Sequence, residues 1–266
     1  MTAIGINTTG HTVRDSATGA AVTLSWAAAT EVGLQRSANE DSFVVGCPIF
    51  AVADGMGGHS AGDVASGAVV ARLAEMTSSE FARADEIQPA LERAVVDLDK
   101  LVTDDQRSAG TTVTGAALVI DDGRLEWAIF NIGDSRVYAL LDDNLDQLTR
   151  DHSVVQQLVD AGDITRDEAD YHPHANVITR AVGLMEPPVP DIVSIPVTPG
   201  TRILLCSDGL TKEITDTGIE HFLRSTVTAE DTVTELMRAA LGNSGRDNIT
   251  VVVLDVLAVT PPSLTG

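Results

Sequence analysis

The sequence predicts an α+β fold in which antiparallel β-sheets are covered by helices. Short runs of β-branched and apolar residues are typical of strands, and they are interspersed with segments that have helical periodicity. These elements follow one another as strands, two helices, a block of antiparallel strands, and then helices and closing strands. A doubly wound parallel sheet needs a regular alternation of strand and helix, which this order lacks.

The apolar runs and the helical spacing assign the individual elements, and Asp122-Gly123 predicts a hairpin turn between two strands. The predicted strands are residues 22–28, 43–45, 49–53, 112–120, 125–132, 137–141, 202–206 and 249–256. The predicted helices are residues 61–76, 87–101, 153–161, 217–224 and 232–241. The first two helices have predicted buried stripes, which are Val64, Ala68, Ala71 and Ala74, and Ile87, Leu91, Ala94, Val95, Leu98 and Leu101.

One domain is expected to contain these elements. A chain of 266 residues with 44% hydrophobic residues can fill a sizeable core, and no linker or internal repeat divides it. We expect a flexible N-terminus at residues 1–20, a single domain at residues 21–258 and a tail at residues 259–266.

Charge and cysteine content disfavour several functional classes. The 17 basic and 39 acidic residues give a net charge of −22, which repels nucleic acid and anionic membranes. No apolar stretch approaches the roughly 20 residues that cross a bilayer, and the first residues lack the pattern of a signal peptide. Cys47 and Cys206 are too few for a disulfide framework and fit a cytoplasmic protein. We therefore expect no nucleic-acid or membrane partner.

The informative pattern is acidic residues at the ends of apolar strands. Asp54, Asp134 and Asp208 each follow one predicted strand, and Asp247 precedes the last one. If the last strand runs antiparallel to the others, all four carboxylates lie at one rim. A single Asp-Gly after a strand is commonly only a turn, but three such acids and a fourth at a strand start are harder to explain in that way.

Clustered carboxylates raise one another's pKa unless a cation neutralises them, and oxygen ligands suit Mg²⁺ and Mn²⁺. Gly55 has no side chain and lets its carbonyl approach an ion that Asp54 also holds. Two adjacent divalent ions can activate a water for direct attack on a phosphoester, without a covalent intermediate. Arg36 is the candidate for binding the phosphate, although an arginine near acids is often only a surface ion pair.

Six motifs in order resemble those of the metal-dependent protein serine/threonine phosphatases, the type 2C family, in its bacterial form. The resemblance runs from residue 31 to residue 256. The motifs are RSANED at 36–41, ADGMGGH at 53–59, GTT at 110–112, GDSR at 133–136, SDG at 207–209 and DN at 247–248. Each motif alone is weak, whereas six in the family's order are specific.

The resemblance implies a site and a reaction. The residues that would bind the two core Mn²⁺ or Mg²⁺ ions are Asp54, Asp208, Asp247 and the carbonyl of Gly55. Asp134, with Asp208, matches the site of a weaker third metal. Glu40 and Asp41 match an acidic pair that holds metal-bound waters, and Arg36 matches the residue that binds the substrate phosphate. The implied activity is hydrolysis of phosphoserine and phosphothreonine in proteins.

The family fold is a four-layer α/β/β/α sandwich, in which two packed antiparallel sheets are flanked by helices. Residues 152–181 resemble the mobile flap of bacterial members and are expected to form a helix followed by a loop. The expected partners are phosphorylated proteins, as substrates of serine/threonine kinases, and the chain is expected to be a monomer.

The chain departs from part of the family at one position. Some members have a histidine that acts as a general acid two residues after the first metal-binding aspartate, and this chain has Met56 there. A thioether cannot donate a proton, so the donor would be metal-bound water or another histidine, of which His59 is nearest in sequence. His59 could equally cap the following helix. His172 and His174 could bind a soft metal, but a role on the flap surface is favoured.

Three other functions remain alternatives. A non-catalytic pseudophosphatase would bind phosphoproteins and use metals for structure only, although it would not need the whole set of site residues. A phosphatase dedicated to a partner-switching regulator would use the same residues. A calcium-binding protein is disfavoured because the sequence has no Asp-x-Asp-x-Asp-Gly loop with a closing Glu.

Overall fold

The computed structural model describes residues 1–57, 61–101, 109–142, 144–184 and 187–262. The strands are β1 (Ala3–Ile4), β2 (Thr8–Arg14), β3 (Ala21–Glu31), β4 (Ser42–Gly46), β5 (Ile49–Ala53), β6 (Gly55–Met56), β7 (Gly110–Thr111), β8 (Val113–Asp121), β9 (Arg124–Ile132), β10 (Arg136–Leu141), β11 (Asn144–Gln147), β12 (Asp191–Pro196), β13 (Arg202–Cys206) and β14 (Ile249–Thr260). The helices are α1 (Ala61–Ala74), α2 (Ile87–Leu101), α3 (Val154–Ala161), α4 (Arg166–Ala169), α5 (Asp208–Thr211), α6 (Asp216–Ser225) and α7 (Ala229–Asn243), with 3₁₀ turns at Glu75–Ser78 and Ala84–Glu86.

The described strands form two large sheets and one small one. The first sheet has the order β1-β4-β5-β8-β9-β12, and the second has the order β11-β10-β13-β14-β3-β2. Their neighbours are antiparallel except for the pair of β1 and β4. Strands β6 and β7 form a separate antiparallel pair. The sequence-based prediction of antiparallel sheets is therefore confirmed.

Three apolar layers hold the sheets and helices together. Side chains from the inner faces of both sheets interdigitate in a central core that includes Phe50, Trp127 and Leu254. A second layer packs α1 and α2 on the outer face of the first sheet. A third packs α6 and α7 on the outer face of the second sheet. This is the predicted four-layer α/β/β/α sandwich.

The predicted flexible N-terminus is wrong for residues 8–14. They form β2, which pairs with β3, and Val13 is 4% exposed because it packs into the central core. Thr, Gly and His dominate this segment, so its composition did not indicate a strand. The edge strands β11 and β12 were missed for a similar reason, because they are largely exposed and lack an apolar run.

The predicted stripe on α1 is also wrong. The buried residues are Ala61, Gly62, Ala65, Ser66, Val69, Val70 and Leu73, whereas Val64, Ala68 and Ala74 are partly exposed and Ala71 is exposed. Small residues occur on every face of helix α1, so the hydrophobic pattern of its sequence does not identify the buried face. The stripe on α2 is confirmed for Ile87, Leu91, Ala94 and Leu98, but Leu101 is exposed.

The region predicted as a flap, residues 152–181, contains two helices. Helix α3 begins after the cap Ser153 and ends at Gly162, which has a left-handed conformation. Helix α4 follows behind a capping box formed by Thr165 and Glu168, where only a loop was expected. Within the described residues, every helix is too short or too polar to cross a lipid bilayer.

Candidate functional site

The sheet topology brings the strand-end aspartates to one rim. Strands β5 and β9 run in the same direction because both are antiparallel to β8 between them, and Asp54 and Asp134 follow their ends. In the second sheet β13 and β14 are antiparallel, so Asp208 after β13 and Asp247 before β14 lie at the same end. Strand direction therefore places two aspartates at one end of each sheet, and the two ends meet, because the charge of Asp208 acts on both Asp54 and Asp134.

Asp54 is anchored through its backbone. Its N–H donates to the hydroxyl of Thr112 at 3.1 Å, and its carbonyl accepts from the Thr112 N–H and the Thr111 hydroxyl, each at 2.9 Å. Burial raises the pKa of the Asp54 carboxyl well above its usual value, and the charges of Asp41, Asp208 and Asp134 raise it further. The backbone of Asp54 is thus fixed, and its carboxyl lies where the charges of other carboxylates act on it.

Gly55 is required by close packing. A Cβ at this position would lie 2.2 Å from the carbonyl oxygen of Gly62 in α1 and 2.5 Å from that of Glu40. No larger residue fits without a shift of the backbone. The absent side chain therefore lets α1 and the segment at Glu40 approach the residue next to Asp54.

Asp41 is fully buried behind the rim. Its Oδ2 accepts from the hydroxyls of Ser207 at 2.8 Å and Thr250 at 2.7 Å, while its Oδ1 has no hydrogen-bond partner. Burial raises the pKa of Asp41 to about 7, and the charges of Asp208 and Asp247 also raise it. The hydrogen bonds from the two hydroxyls lower the pKa but do not outweigh burial.

Asp134 shows the same electrostatic pattern on the first sheet. Burial raises the pKa of Asp134 to about 7, and the charges of Asp208 and Asp151 add to this effect while Lys212 opposes it. We call Asp41, Asp54, Asp134, Asp208 and Asp247 the rim cluster. Its members act on one another's ionisation, so they form one electrostatic unit.

Among the described residues, two cationic side chains contact the rim cluster. Arg36 reaches Asp247 with Nε at 2.8 Å from Oδ1 and with Nη2 at 2.9 Å from Oδ2. Lys212 places Nζ 2.5 Å from Asp208 Oδ2 and 3.1 Å from Asp247 Oδ2. Burial raises the pKa of Asp247, but Lys212 and Arg36 outweigh burial and hold it below its usual value.

Lys212 was not identified from the sequence. It follows Asp208 by four residues, and on a helix this spacing brings two side chains to the same face. Because α5 is only one turn long, the predicted strand and turn around Asp208 did not suggest helical spacing. Burial lowers the pKa of Lys212, but the carboxylates of Asp208 and Asp247 outweigh it and raise the pKa above its usual value.

Asn248 ties the segment before β4 to the rim. Its Oδ1 accepts from the N–H of Glu40 at 2.9 Å, and its Nδ2 donates to the carbonyls of Val32 and Ala38, each at 2.9 Å. Burial raises the pKa of Glu40, the charge of Asp63 adds to this, and Arg36 lowers it. Arg36 and Asp41 thus contact residues at the rim, and the backbone of Glu40 is held there by Asn248.

The chemistry of the rim cluster fits a hard divalent cation. All of its donors are oxygen atoms, and Oδ1 of Asp208, like Oδ1 of Asp41, is buried without a hydrogen-bond partner. Among the described residues, no group of three or more His, Cys, Asp or Glu side chains already has a geometry that could hold a metal. Two cations, Arg36 and Lys212, contact the carboxylates instead.

Comparison with known proteins identifies the family. A family model described as protein phosphatase 2C matches residues 35–244. Serine/threonine protein phosphatase PstP of Mycobacterium tuberculosis is 40% identical over 252 residues, 91% of this chain and 48% of the relative, so the chain spans about half of that relative's length. Serine/threonine phosphatase stp of Listeria monocytogenes is 35% identical over 239 residues, 85% of this chain and 93% of the relative. This chain belongs to the protein phosphatase 2C family.

A solved structure of a family member has the same fold. The crystal structure of the catalytic domain of PstP in complex with two manganese ions matches with a TM-score of 0.77 at 36% identity. The match covers 88% of this chain and 99% of that one. The resemblance drawn from the six motifs is thus confirmed at the level of family and fold.

Met56 and the histidines bear on the proton donor of this protein phosphatase 2C chain. Met56 lies in β6, and His59 is outside the described residues. His152 is 8% exposed, and its Nδ1 accepts from the N–H of Gly133 at 3.0 Å, while its Nε2 lies 3.1 Å from Oδ2 of Asp191 and 2.9 Å from Nη1 of Arg180. Both ring nitrogens of His152 are therefore engaged by groups outside the rim cluster.

The two histidines of the predicted flap, His172 and His174, lie close to each other. The ring centroids of His172 and His174 are 5.5 Å apart, and the N–H of His174 donates to Nδ1 of His172 at 3.2 Å. In the described part of the chain they are not members of any potential metal-binding group of three. The expectation of a role on the flap surface stays a prediction.

Proposed function

We propose that this chain is a metal-dependent protein serine/threonine phosphatase that hydrolyses phosphoserine and phosphothreonine. The observation that carries the proposal is the convergence of Asp54, Asp134, Asp208 and Asp247 at one rim, with a buried Asp208 oxygen that lacks a partner. Membership of the protein phosphatase 2C family and the manganese complex of PstP support the same reaction and Mn²⁺ or Mg²⁺ as cofactor.

The residues divide into metal-binding and water-holding groups. Asp54, Asp208, Asp247 and the Gly55 carbonyl would hold the two core ions, and Asp134 would help to hold a third. Two bound ions would supply an activated water and neutralise charge on the phosphoester. Glu40 and the buried Asp41 would orient water next to the ions by accepting hydrogen bonds from it.

Arg36 would bind the substrate phosphate. Its side chain is 56% exposed at the rim while its Nε and Nη2 contact Asp247, so its remaining donors can face an incoming anion. Met56 has no proton to give, and the leaving alkoxide would take its proton from water or from a histidine such as His59.

The substrates would be proteins that serine/threonine kinases have phosphorylated. The net charge of −22 would disfavour substrates in strongly acidic segments and favour a basic surrounding sequence. Free Cys47 and Cys206 fit a reducing compartment, which we propose is the cytoplasm.

Hydrolysis of p-nitrophenyl phosphate and of a phosphothreonine peptide tests the proposal. We expect turnover with Mn²⁺, loss of turnover with a chelator, and a decrease of more than about 100-fold in Asp54→Ala and Asp208→Ala because each removes a metal ligand. Asp85→Ala, at an exposed site where the carboxylate pairs with Arg83, serves as the control. Full activity in chelator would contradict the metal mechanism, and peptide binding without turnover would favour the pseudophosphatase alternative.

A further inference from the structure

Lys212 holds an unusual position for a surface lysine. It is 30% exposed, and its Nζ lies between two carboxylates of the rim cluster, 2.5 Å from Asp208 Oδ2 and 3.1 Å from Asp247 Oδ2. Both carboxylates are largely buried, with 16% and 17% of their side chains exposed. A partly buried ammonium between two carboxylates is a stronger interaction than an exposed ion pair.

The backbone keeps Lys212 at this position. Its N–H donates to the carbonyl of Asp208 at 2.8 Å, and its own carbonyl accepts from Nη2 of Arg246 at 2.6 Å. The next residue, Glu213, accepts from Nε and the N–H of Arg246, at 2.9 Å and 3.1 Å. The turn after α5 is therefore fastened to the loop that carries Asp247, and the lysine is a built part of the site.

The charge of Lys212 bears on the same atoms that would bind a metal. Asp247 has both oxygens engaged by cations, Oδ1 by Arg36 and Oδ2 by Arg36 and Lys212. Asp208 has Oδ2 engaged by Lys212, while Oδ1 is free of hydrogen bonds. A divalent ion shared by Asp208 and Asp247 would therefore meet an ammonium that is already there.

We propose that Lys212 is an internal counter-ion that competes with divalent metal for Asp208 and Asp247. In the metal-free protein it neutralises the rim cluster and limits the repulsion among its carboxylates. When a metal binds, the ammonium swings away on its flexible four-carbon side chain, which a lysine can do more easily than a rigid arginine fork. The inference rests on the proposed metal site and adds to it that this chain binds metal more weakly than its carboxylates alone would.

Lys212→Met tests this proposal because methionine keeps much of the length and removes the charge. We expect the Kd for Mn²⁺, measured by isothermal titration calorimetry on chelator-stripped protein, to fall about tenfold for at least one site, because removal of the ammonium frees Asp208 and Asp247 for the ion. Lys100→Met is the matched control, because Lys100 is 68% exposed and pairs with Asp97 on α2. Its Kd should equal that of the wild type.

Thermal unfolding supplies a second readout that does not depend on activity. In chelator, Lys212→Met should melt at a lower temperature than the wild type, because its carboxylates lose their counter-ion. With saturating Mn²⁺ its melting temperature should rise by more than that of the wild type. If Lys212→Met does not fold, Lys212→Gln is measured in the same way.

The outcomes separate this proposal from the proposed function. If the wild type binds Mn²⁺ but does not hydrolyse phosphoesters, the proposed phosphatase activity is contradicted. The competition between Lys212 and Mn²⁺ can still be measured in that case. A Lys212→Met protein whose affinity for Mn²⁺ is unchanged or weaker would overturn the counter-ion role, as would the failure of both proteins to bind Mn²⁺. Tighter binding together with a lower melting temperature in chelator would support it.

Discussion

At the residue scale, Arg36 illustrates how one side chain can serve two anions. Its Nε and Nη2 form a fork on the two oxygens of Asp247, and more than half of the side chain is exposed. A planar guanidinium has five N–H donors, so a fork on a carboxylate leaves donors for a second group. The contact with Asp247 therefore leaves Arg36 with donors for the substrate phosphate that we propose binds at the rim.

We predict that Arg36→Ala raises KM for a phosphothreonine peptide by about 10- to 100-fold, because a charge-assisted hydrogen-bonded contact contributes roughly 1.5–3 kcal/mol. The KM of Arg36→Lys should lie between those of the wild type and Arg36→Ala, since lysine keeps the charge but cannot form the two-pronged contact of a guanidinium. Steady-state kinetics with saturating Mn²⁺ measure both variants. Arg238→Ala, which removes an exposed pair with Glu235, should match the wild type. An unchanged KM in Arg36→Ala would rule out this role.

At the scale of elements, the start of α5 is packed directly against the start of β14. A Cβ at Gly209 would lie 1.9 Å from the carbonyl oxygen of Asn248. This contact sets Asp208 beside Asp247, because each aspartate is the residue before one of the two touching residues. Asn248 extends the connection to the carbonyls of Val32 and Ala38. The site thus depends on how closely two elements approach.

Gly209→Ala is expected to destabilise the protein by at least about 2 kcal/mol, because the backbone of α5 or β14 must move to admit the methyl group. Gly242→Ala is the matched control. Gly242 lies in α7, and a Cβ added there would have no other heavy atom within 4 Å, so alanine should stabilise the helix by about 0.5–1 kcal/mol. Urea unfolding in chelator measures both. Equal effects of the two substitutions would contradict the packing argument.

At the scale of the whole molecule, the sequence predicted what depends on chain order and hydrophobic pattern. The strands that end at Asp54, Asp134 and Asp208 are apolar and buried, so their ends could be located, and antiparallel order then predicted the rim. The contacts of Lys212 could not be predicted in this way, because they depend on how the short helix α5 is oriented relative to the residues just before β14. The same holds for β2, whose pairing with β3 depends on backbone hydrogen bonds rather than on apolar side chains.

The rim cluster also gives the whole protein a pH-dependent stability when no metal is bound. The pKa values of Asp41 and Asp134 are raised by burial to about 7 from a usual value of 3.8, and that of Asp54 is raised as well. Between about pH 4 and pH 7 the folded protein therefore binds more protons than the unfolded chain, and the free energy of unfolding falls as the pH rises. His152 works in the opposite sense, because burial lowers its pKa, but it is one group against several carboxyls.

Chelator-treated protein should consequently melt at a higher temperature at pH 5.5 than at pH 7.5, by several degrees. One carboxyl contributes at most about 1.4 kcal/mol per pH unit, and a domain of this size shifts by roughly 2–4 °C per kcal/mol. Asp247 does not oppose this trend, since its lowered pKa affects stability only below its usual value of 3.8.

Saturating Mn²⁺ should reverse or remove the trend, because metal binds the ionised carboxylates and is displaced by protons. A melting temperature that depends on pH in the same way with and without Mn²⁺ would mean that the raised pKa values do not belong to metal-binding groups. Asp134→Asn, which removes one of these carboxyls, should reduce the slope in chelator and thereby assign part of the effect to the rim.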